Sequence, residues 1–442
     1  MGSLLTSREK FDRIIIKIGN EIAVREGKSM STKEKLLFLG CEMNAAGTEK
    51  SFLAFLSALD KERYDIELLL ARKGGDLYHL LPDSVKVTEM PVGGEMFTLS
   101  GANAASVIFR LFVRKNPFRL FEIFPYFLRM KLNPARRSLI AMELWLRMMK
   151  KLPDHQGEYD AAVAYWGDKT MFYMIDKVKA KKKITWLHFD YANPPRSDKT
   201  YLPYFESCDG VVTVSDAVDR ALKEKLPTIA HKCVEIENLI DREALCTMAE
   251  TAPTYTDGYT GTRVLSVMRI CRQKGFDFIP EILSRLVKNG REFRWYIVGE
   301  GTESDVAYLT SECERLGVFD RLVLLGTTPN PYGYLKDADL FVLPSRHEGK
   351  PISVEEAKAF CKPIAVGHYL SADEQLLNGE LGLIADSNPE ALAETVDSLL
   401  SSADLRSVLS ERLAAHNRTA SVKSEVEMAK FYDLMRKSPE KT

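Results

Sequence analysis

From Lys35 onward, short β-branched runs alternate with longer segments of helical period, and the alternation occurs twice along the chain. Such alternation dictates β-α-β units and parallel sheets. The first series includes KLLFLG (35–40), DIELLLA (65–71), AAVAYW (161–166), KITWLHF (183–189), GVVTVS (210–215) and CVEIEN (233–238). The second runs RVLSVMRI (263–270), RWYIVGEG (294–301), RLVLLG (321–326), LFVLPS (340–345), PIAVGHY (363–369) and GLIAD (382–386). These runs are apolar nearly throughout, as strands covered on both faces must be. A chain of 442 residues also exceeds what one ordinary core can serve, so two domains are expected.

Between 246 and 262 the text CTMAETAPTYTDGYTGT loses both periods and reads as a linker. The expected division is an N-terminal extension (1–34), a first domain (35–245), the linker (246–262), a second domain (263–415) and a C-terminal helix (416–442) that could cross back to the first. Within the extension, FDRIIIKIGNEI suggests a short amphipathic helix and Met30 is a conceivable alternative start. The opening MGSLLT matches the myristoylation pattern, but so common a start gives little reason to expect lipidation.

Composition excludes several classes. The chain is 45% hydrophobic and 28% charged with a formal net charge of -1, so nothing global attracts nucleic acid. Seven scattered cysteines (Cys41, Cys208, Cys233, Cys246, Cys271, Cys313, Cys361) form no C-x-x-C pair, which indicates neither a disulfide framework nor a zinc site and fits a cytoplasmic protein. No run is long and apolar enough to span a bilayer, and no secretory signal pattern opens the chain.

One region departs from the β-α pattern. Residues 107–151 mix large apolar side chains with eleven bases, among them Arg136, Arg137, Lys150 and Lys151, against only Glu122 and Glu143. A helical insertion of this kind either packs on the first domain with its bases solvated or lies on the inner face of an anionic membrane.

Strand-end loops of parallel sheets face a shared crevice, so polar residues there are the candidates for chemistry. Gly47 and Thr48 open a helix whose free N–H groups can hold an anion, or simply make a tight turn. Arg269 and Lys274 offer a planar fork and a point charge suited to a diphosphate, although such a pair is often solvated surface. His188 ends a strand beside Asp190, either as a structural residue or as a donor to a substrate phosphate or hydroxyl. In PSRHEGKPISVEEAKAF, Glu348 and Glu356 flank a helix entry and could accept hydroxyls of a polyhydroxylated ligand. Ser353 to Glu356 also reads as a capping box, which would account for Glu356 alone.

The ordered blocks AAGTEKSFLAFLSAL, GVVTVSDAV, VEIENLID, SVMRICRQKGFDF, WYIVGEGTESDV, RLVLLGTTPNPYGYLKDADLFVLPSRHEGKPISVEEAKAF and KPIAVGHYLSADEQLLNGELGLIAD resemble the retaining glycosyltransferases of family 4 over most of residues 35–400. The resemblance implies the α/β GT-B fold: two Rossmann-like domains facing across a cleft, the acceptor held by the first and a nucleotide-sugar by the second. Position by position, it implies that Arg269 and Lys274 bind the donor diphosphate and Glu348 meets donor-sugar hydroxyls. Glu356 would hold the ribose, and Gly349, Lys350, Pro351 and Ile352 would present backbone N–H groups to the sugar. Gly47 and Thr48 would lie near the phosphate and acceptor, and His188 would face the donor sugar.

The chain departs from the family at Ala46, Met268, Lys350 and Cys361; Lys350 places a charge beside the sugar site. The implied activity is hexosyl transfer from a UDP-sugar to a glycan or lipid-linked hydroxyl in cell-surface polysaccharide synthesis, with no metal and no cofactor. Competing expectations are an inactive GT-B partner protein and a nucleotide-sugar epimerase.

Overall fold

The computed structural model describes residues 33–98, 106–418 and 420–436. The proposed helix at 11–22, the alternative start at Met30 and the myristoylation pattern therefore lie outside the described residues.

Two sheets form, and every strand pairing in them is parallel. The first contains β1 (Glu34–Gly40), β2 (Tyr64–Leu70), β3 (Lys86–Glu89), β4 (Glu158–Ala164), β5 (Lys179–Leu187), β6 (Gly210–Thr213) and β7 (Cys233–Glu235), ordered β3-β2-β1-β4-β5-β6-β7. The second contains β8 (Thr262–Val267), β9 (Phe293–Val298), β10 (Leu322–Gly326), β11 (Leu340–Leu343), β12 (Ile364–Gly367) and β13 (Leu383–Ala385), ordered β10-β9-β8-β11-β12-β13. In both, chain direction across the sheet reverses beside the first strand, between β1 and β4 and between β8 and β11. Loops leaving the carboxyl ends at such reversals enclose a crevice. The candidate residues follow β1, β5, β8 and β11.

The period of two along β1 divides the first half into two cores. Leu37 and Leu39 face one side, where α2 (Leu120–Leu132) and α3 (Arg137–Met149) form a hairpin. From that hairpin Ile123, Leu144, Trp145, Met148 and Met149 reach the sheet. Leu36 and Phe38 face the other side, against Phe52, Phe55 and Leu56 of α1 (Gly47–Ala58). All four of these β1 side chains are fully buried, which is why the run from Leu36 to Leu39 is apolar throughout. The second half has one continuous core built on both faces of its sheet.

The linker expected at 246–262 begins inside a helix, α4 (Arg242–Glu250). Asp241 caps it by accepting from the Ala244 N–H at 3.0 Å, and Leu245 and Ala249 pack on Tyr332 and Ala359 of the second half. Buried apolar contact thus overrides the weak local period. The final helix, α6 (Ala420–Arg436), returns to the first half. There Phe431 stands edge-on to Phe55 at 5.0 Å, and Lys182 Nζ donates to the carbonyls of Leu434 and Met435 at 3.0 and 2.6 Å.

Candidate functional site

The candidate helix α5 (Ile352–Ala359) starts directly after Pro351, whose fixed φ suits a helix entry. Ser353 consequently lies inside the helix, and no side chain caps its N-terminus, so the capping-box reading of Glu356 fails. Glu356 instead projects into the contact between the two halves. Its Oε1 accepts from Lys50 Nζ at 2.7 Å and from Tyr332 Oη at 2.8 Å, and the residue is 2% exposed. Lys50 comes from the first turn of α1 and also lies 4.8 Å over the Tyr332 ring. Neither Lys50 nor Tyr332 was a sequence candidate.

Lys274 and Glu348 meet each other: Nζ to Oε1 is 2.6 Å, with both side chains mostly buried. The turn that carries Lys274 is held against the end of β11 by Gly275. Its φ is +73°, and a Cβ there would stand 1.9 Å from the Pro344 carbonyl oxygen. Arg269 is exposed at the end of β8, and among the described residues no hydrogen bond or ion pair joins its side chain to this cluster.

Close backbone approach between the halves occurs at two glycines. A Cβ on Gly349 would lie 2.6 Å from the carbonyl oxygen of His188, and one on Gly47 would lie 3.2 Å from Ile352 Cγ1. Gly47, His188, Gly349, Ile352, Lys50 and Glu356 therefore line one contact region. Thr48 is half-buried beside them at the start of α1, whose N-terminus has no side-chain cap.

The His188 ring packs on Tyr165 at 4.8 Å and stacks on Trp186 at 6.2 Å. Burial pushes its pKa down to about 3, so the imidazole is neutral across the physiological range. Its Nε2 is buried without a hydrogen-bond partner among the described residues. Asp190, its sequence neighbour, does not serve it. That carboxylate instead accepts from the Ala192 N–H and Asn193 Nδ2, at 2.8 and 2.6 Å.

Lys350 corrects one expectation. Its ammonium does not stand as a free charge beside the sugar site, because it pairs with Glu237 at 2.5 Å and with Glu374 at 3.3 Å. Burial acts to lower the Lys350 pKa, but Glu237 and Glu355 overcome it and hold the pKa above the ordinary lysine value. Glu237 also takes Lys423 of α6. The Lys350 carbonyl accepts from Asn238 Nδ2 at 3.4 Å, whose Oδ1 accepts from Ser51 at 2.8 Å. Loop 346–351 is thereby tied to the first half through both side chain and backbone.

Behind the α1 N-terminus sits a carboxyl in the opposite state. Glu49 Oε1 accepts from Trp166 Nε1 at 3.1 Å, Oε2 is buried with no partner among the described residues, and burial raises the pKa to about 7.

A lysine paired with one carboxylate retains two N–H donors, and a carboxylate bonded through one oxygen retains the other. Lys274 can thus donate to phosphate oxygens while Glu348 and Glu356 accept hydroxyls. Bound carboxylates, neutral imidazole and helix N-termini at one crevice suit a ligand that is part anion and part polyol.

Known proteins resemble the chain in sequence and in fold. Residues 259–415 match the family described as Glycosyl transferases group 1. An uncharacterized glycosyltransferase of Haemophilus influenzae is 26% identical over 239 residues, 52% of this chain and 64% of that protein. The capsular polysaccharide biosynthesis glycosyltransferase CapM of Staphylococcus aureus is 24% identical over 192 residues, 41% of this chain and 47% of that protein. The matched stretch is thus less than two thirds of either relative's length. Among solved structures, Anabaena HepE in complex with UDP and glucose superposes with a TM-score of 0.63 at 15% identity, covering 90% of this chain and 100% of that one. WaaG, a glycosyltransferase involved in lipopolysaccharide biosynthesis, gives 0.58 at 13% identity over 89% and 98% of the two chains. The chain has the GT-B fold, and its residues 259–415 are similar to the glycosyl transferases group 1.

Proposed function

We propose that the protein is a retaining glycosyltransferase that moves a hexosyl group from a UDP-sugar to a hydroxyl of a lipid-linked glycan in bacterial surface polysaccharide synthesis. The observation that carries this reading is the Lys50–Glu356 pair across the two halves together with the Lys274–Glu348 pair next to Gly349, whose backbone abuts His188 of the first half. HepE supports the choice of donor through its UDP complex, and CapM the polysaccharide setting. Two Campylobacter jejuni relatives act on diphospho-undecaprenol glycans, which supports a lipid-linked acceptor.

In this reaction the bond from the anomeric carbon to the β-phosphate oxygen breaks, and its electron pair stays on the phosphate. Lys274, held in place by Glu348, stabilises the charge that develops there, which lowers the barrier because that donor is preorganised, and Arg269 reaches the phosphate from the solvent-exposed end of β8. Glu348 accepts sugar hydroxyls and Glu356 ribose hydroxyls through its unoccupied oxygen. The acceptor oxygen bonds to the anomeric carbon on the face the phosphate leaves, and its proton passes to the departing phosphate. Neutral His188 is suited to hydrogen bonding and not to countering charge.

A thermal-shift panel of nucleotides and nucleotide-sugars tests the reading. A ligand at 100 times its Kd stabilises by about 2.7 kcal/mol, and Glu356→Ala should abolish the shift. UDP-sugars that shift neither the wild type nor any variant overturn the donor assignment. Free sugar-nucleotide product formed without acceptor would instead indicate an epimerase.

A further inference from the structure

The α2–α3 hairpin shows two opposed apolar stripes, and only one of them is covered. Toward the sheet, α2 buries Ile123 and half-buries Tyr126 and Met130. On the opposite side Phe121, Phe124, Leu128 and Leu132 recur at helical spacing and continue from Phe118 in the preceding turn. Phe118 is 78% exposed, Phe121 80%, Phe124 63% and Leu132 68%. Aromatic side chains bury large area where they have partners, so this many in one exposed row marks an interaction surface and not scattered surface residues.

The bases frame that row. Arg129 and Lys131 flank it on α2, and Arg114, Lys115, Arg136 and Arg137 stand exposed at its two ends. Glu122 is taken by Lys151 and Glu143 by Arg129, and among the described residues Arg114, Lys115, Lys131, Arg136 and Arg137 have no ion-pair partner. An occupant must accept apolar side chains at its interior and offer dense negative charge at its rim. A second copy related by a two-fold axis would set the same bases against each other, which is repulsive. No helix among the described residues is long and apolar enough to cross a membrane.

The geometry points to the interface of an anionic lipid bilayer as the partner of this face. Phe118, Phe121, Phe124, Leu128 and Leu132 enter the acyl boundary while Arg114, Lys115, Lys131, Arg136 and Arg137 meet headgroup phosphates. The inference does not rest on the proposed reaction, because it concerns the opposite surface of the hairpin from the sheet and needs no donor.

Vesicle flotation tests it, with phosphatidylglycerol–phosphatidylcholine vesicles and phosphatidylcholine alone, at low and high salt. The full chain should float with the anionic vesicles at low salt and much less with the neutral ones. Lys131→Gln, Arg136→Gln and Arg137→Gln combined should weaken partition about a hundredfold, near fivefold per base. Phe121→Ser with Phe124→Ser should weaken it about tenfold or more by removing inserted apolar area. In a Phe121→Trp variant the indole emission should shift to the blue and be quenched by acyl-brominated lipid.

Failure of the wild type to float at low salt overturns the proposal, as does unchanged partition of the Phe double variant or indole emission that brominated lipid leaves unquenched in Phe121→Trp. So does a vesicle-free dimer that Phe121→Ser dissociates, or capture by an acidic peptide with no vesicle binding. Because these side chains are exposed, the variants should keep the wild-type Tm and the UDP thermal shift. That leaves the donor reading to stand or fall separately.

Discussion

Bases crowd two regions of this molecule and behave oppositely in them. At and beside the contact between the halves, Lys50, Lys274 and Lys350 are each largely buried against a carboxylate, at 2.7, 2.6 and 2.5 Å. On the α2–α3 hairpin, Arg114, Lys115, Lys131, Arg136 and Arg137 stand in solvent without ion-pair partners among the described residues. Burial forces compensation within the protein, since an unpaired charge in the interior costs several kcal/mol. Exposure leaves the charge to be compensated by whatever arrives. The first arrangement builds a site with fixed geometry, and the second builds a surface with a fixed sign.

The contrast can be broken most severely at Lys350. Lys350→Met leaves Glu237 and Glu374 without their shared cation, and unfolding in urea should show a loss of about 3 kcal/mol, Lys423 keeping it from being larger. Wild-type stability in that variant would mean the ion pair does not hold the loop. Gly349→Ala tests the same contact through backbone alone. A Cβ 2.6 Å from the His188 carbonyl must push the halves apart, and a displacement near 1 Å should cut kcat about a hundredfold with little change in Tm.

Glu49 sharpens the comparison, being a buried carboxyl with no ion-pair partner among the described residues. Its folded pKa is raised from 4.5 to about 7, so the folded state binds more protons than the unfolded state within that window. The contribution is full below pH 4.5 and is lost as pH rises through 7, with a slope of up to about 1.4 kcal/mol per pH unit. Glu49→Gln should flatten that part of the stability curve, as read by denaturant titration at several pH values. The smallest effect belongs to the hairpin: Arg136→Gln with Arg137→Gln should change stability by less than about 0.5 kcal/mol. A larger loss would show that these bases hold the fold together.

The sheets were legible because their central strands are buried on both faces and read as unbroken apolar runs. β3 was not: Lys86, Thr88 and Glu89 make an edge strand too polar to carry either signal. At the site, Arg269, Lys274, Glu348 and Glu356 could be picked out because each follows a strand end in a patterned block. Lys50 could not, since it meets Glu356 across 306 positions and a base in a first helical turn has no local mark. The Lys350 charge was visible, but its neutralisation depends on Glu237 from the other half, which only folding supplies. Likewise the charge of 107–151 was plain, while the outward row of phenylalanines needed the helix phase to be known.

The polypeptide passes between the halves twice, once after β7 and again between Leu413 in the second core and Met428 in the first. A pair of lobes joined by one segment can swivel freely, whereas two covalent tethers restrict that freedom and favour rotation about the line through both. Opening of the crevice is then favoured as a book-like rotation about that line. The page edges farthest from the spine travel most, and pairs lying near it hardly separate at all.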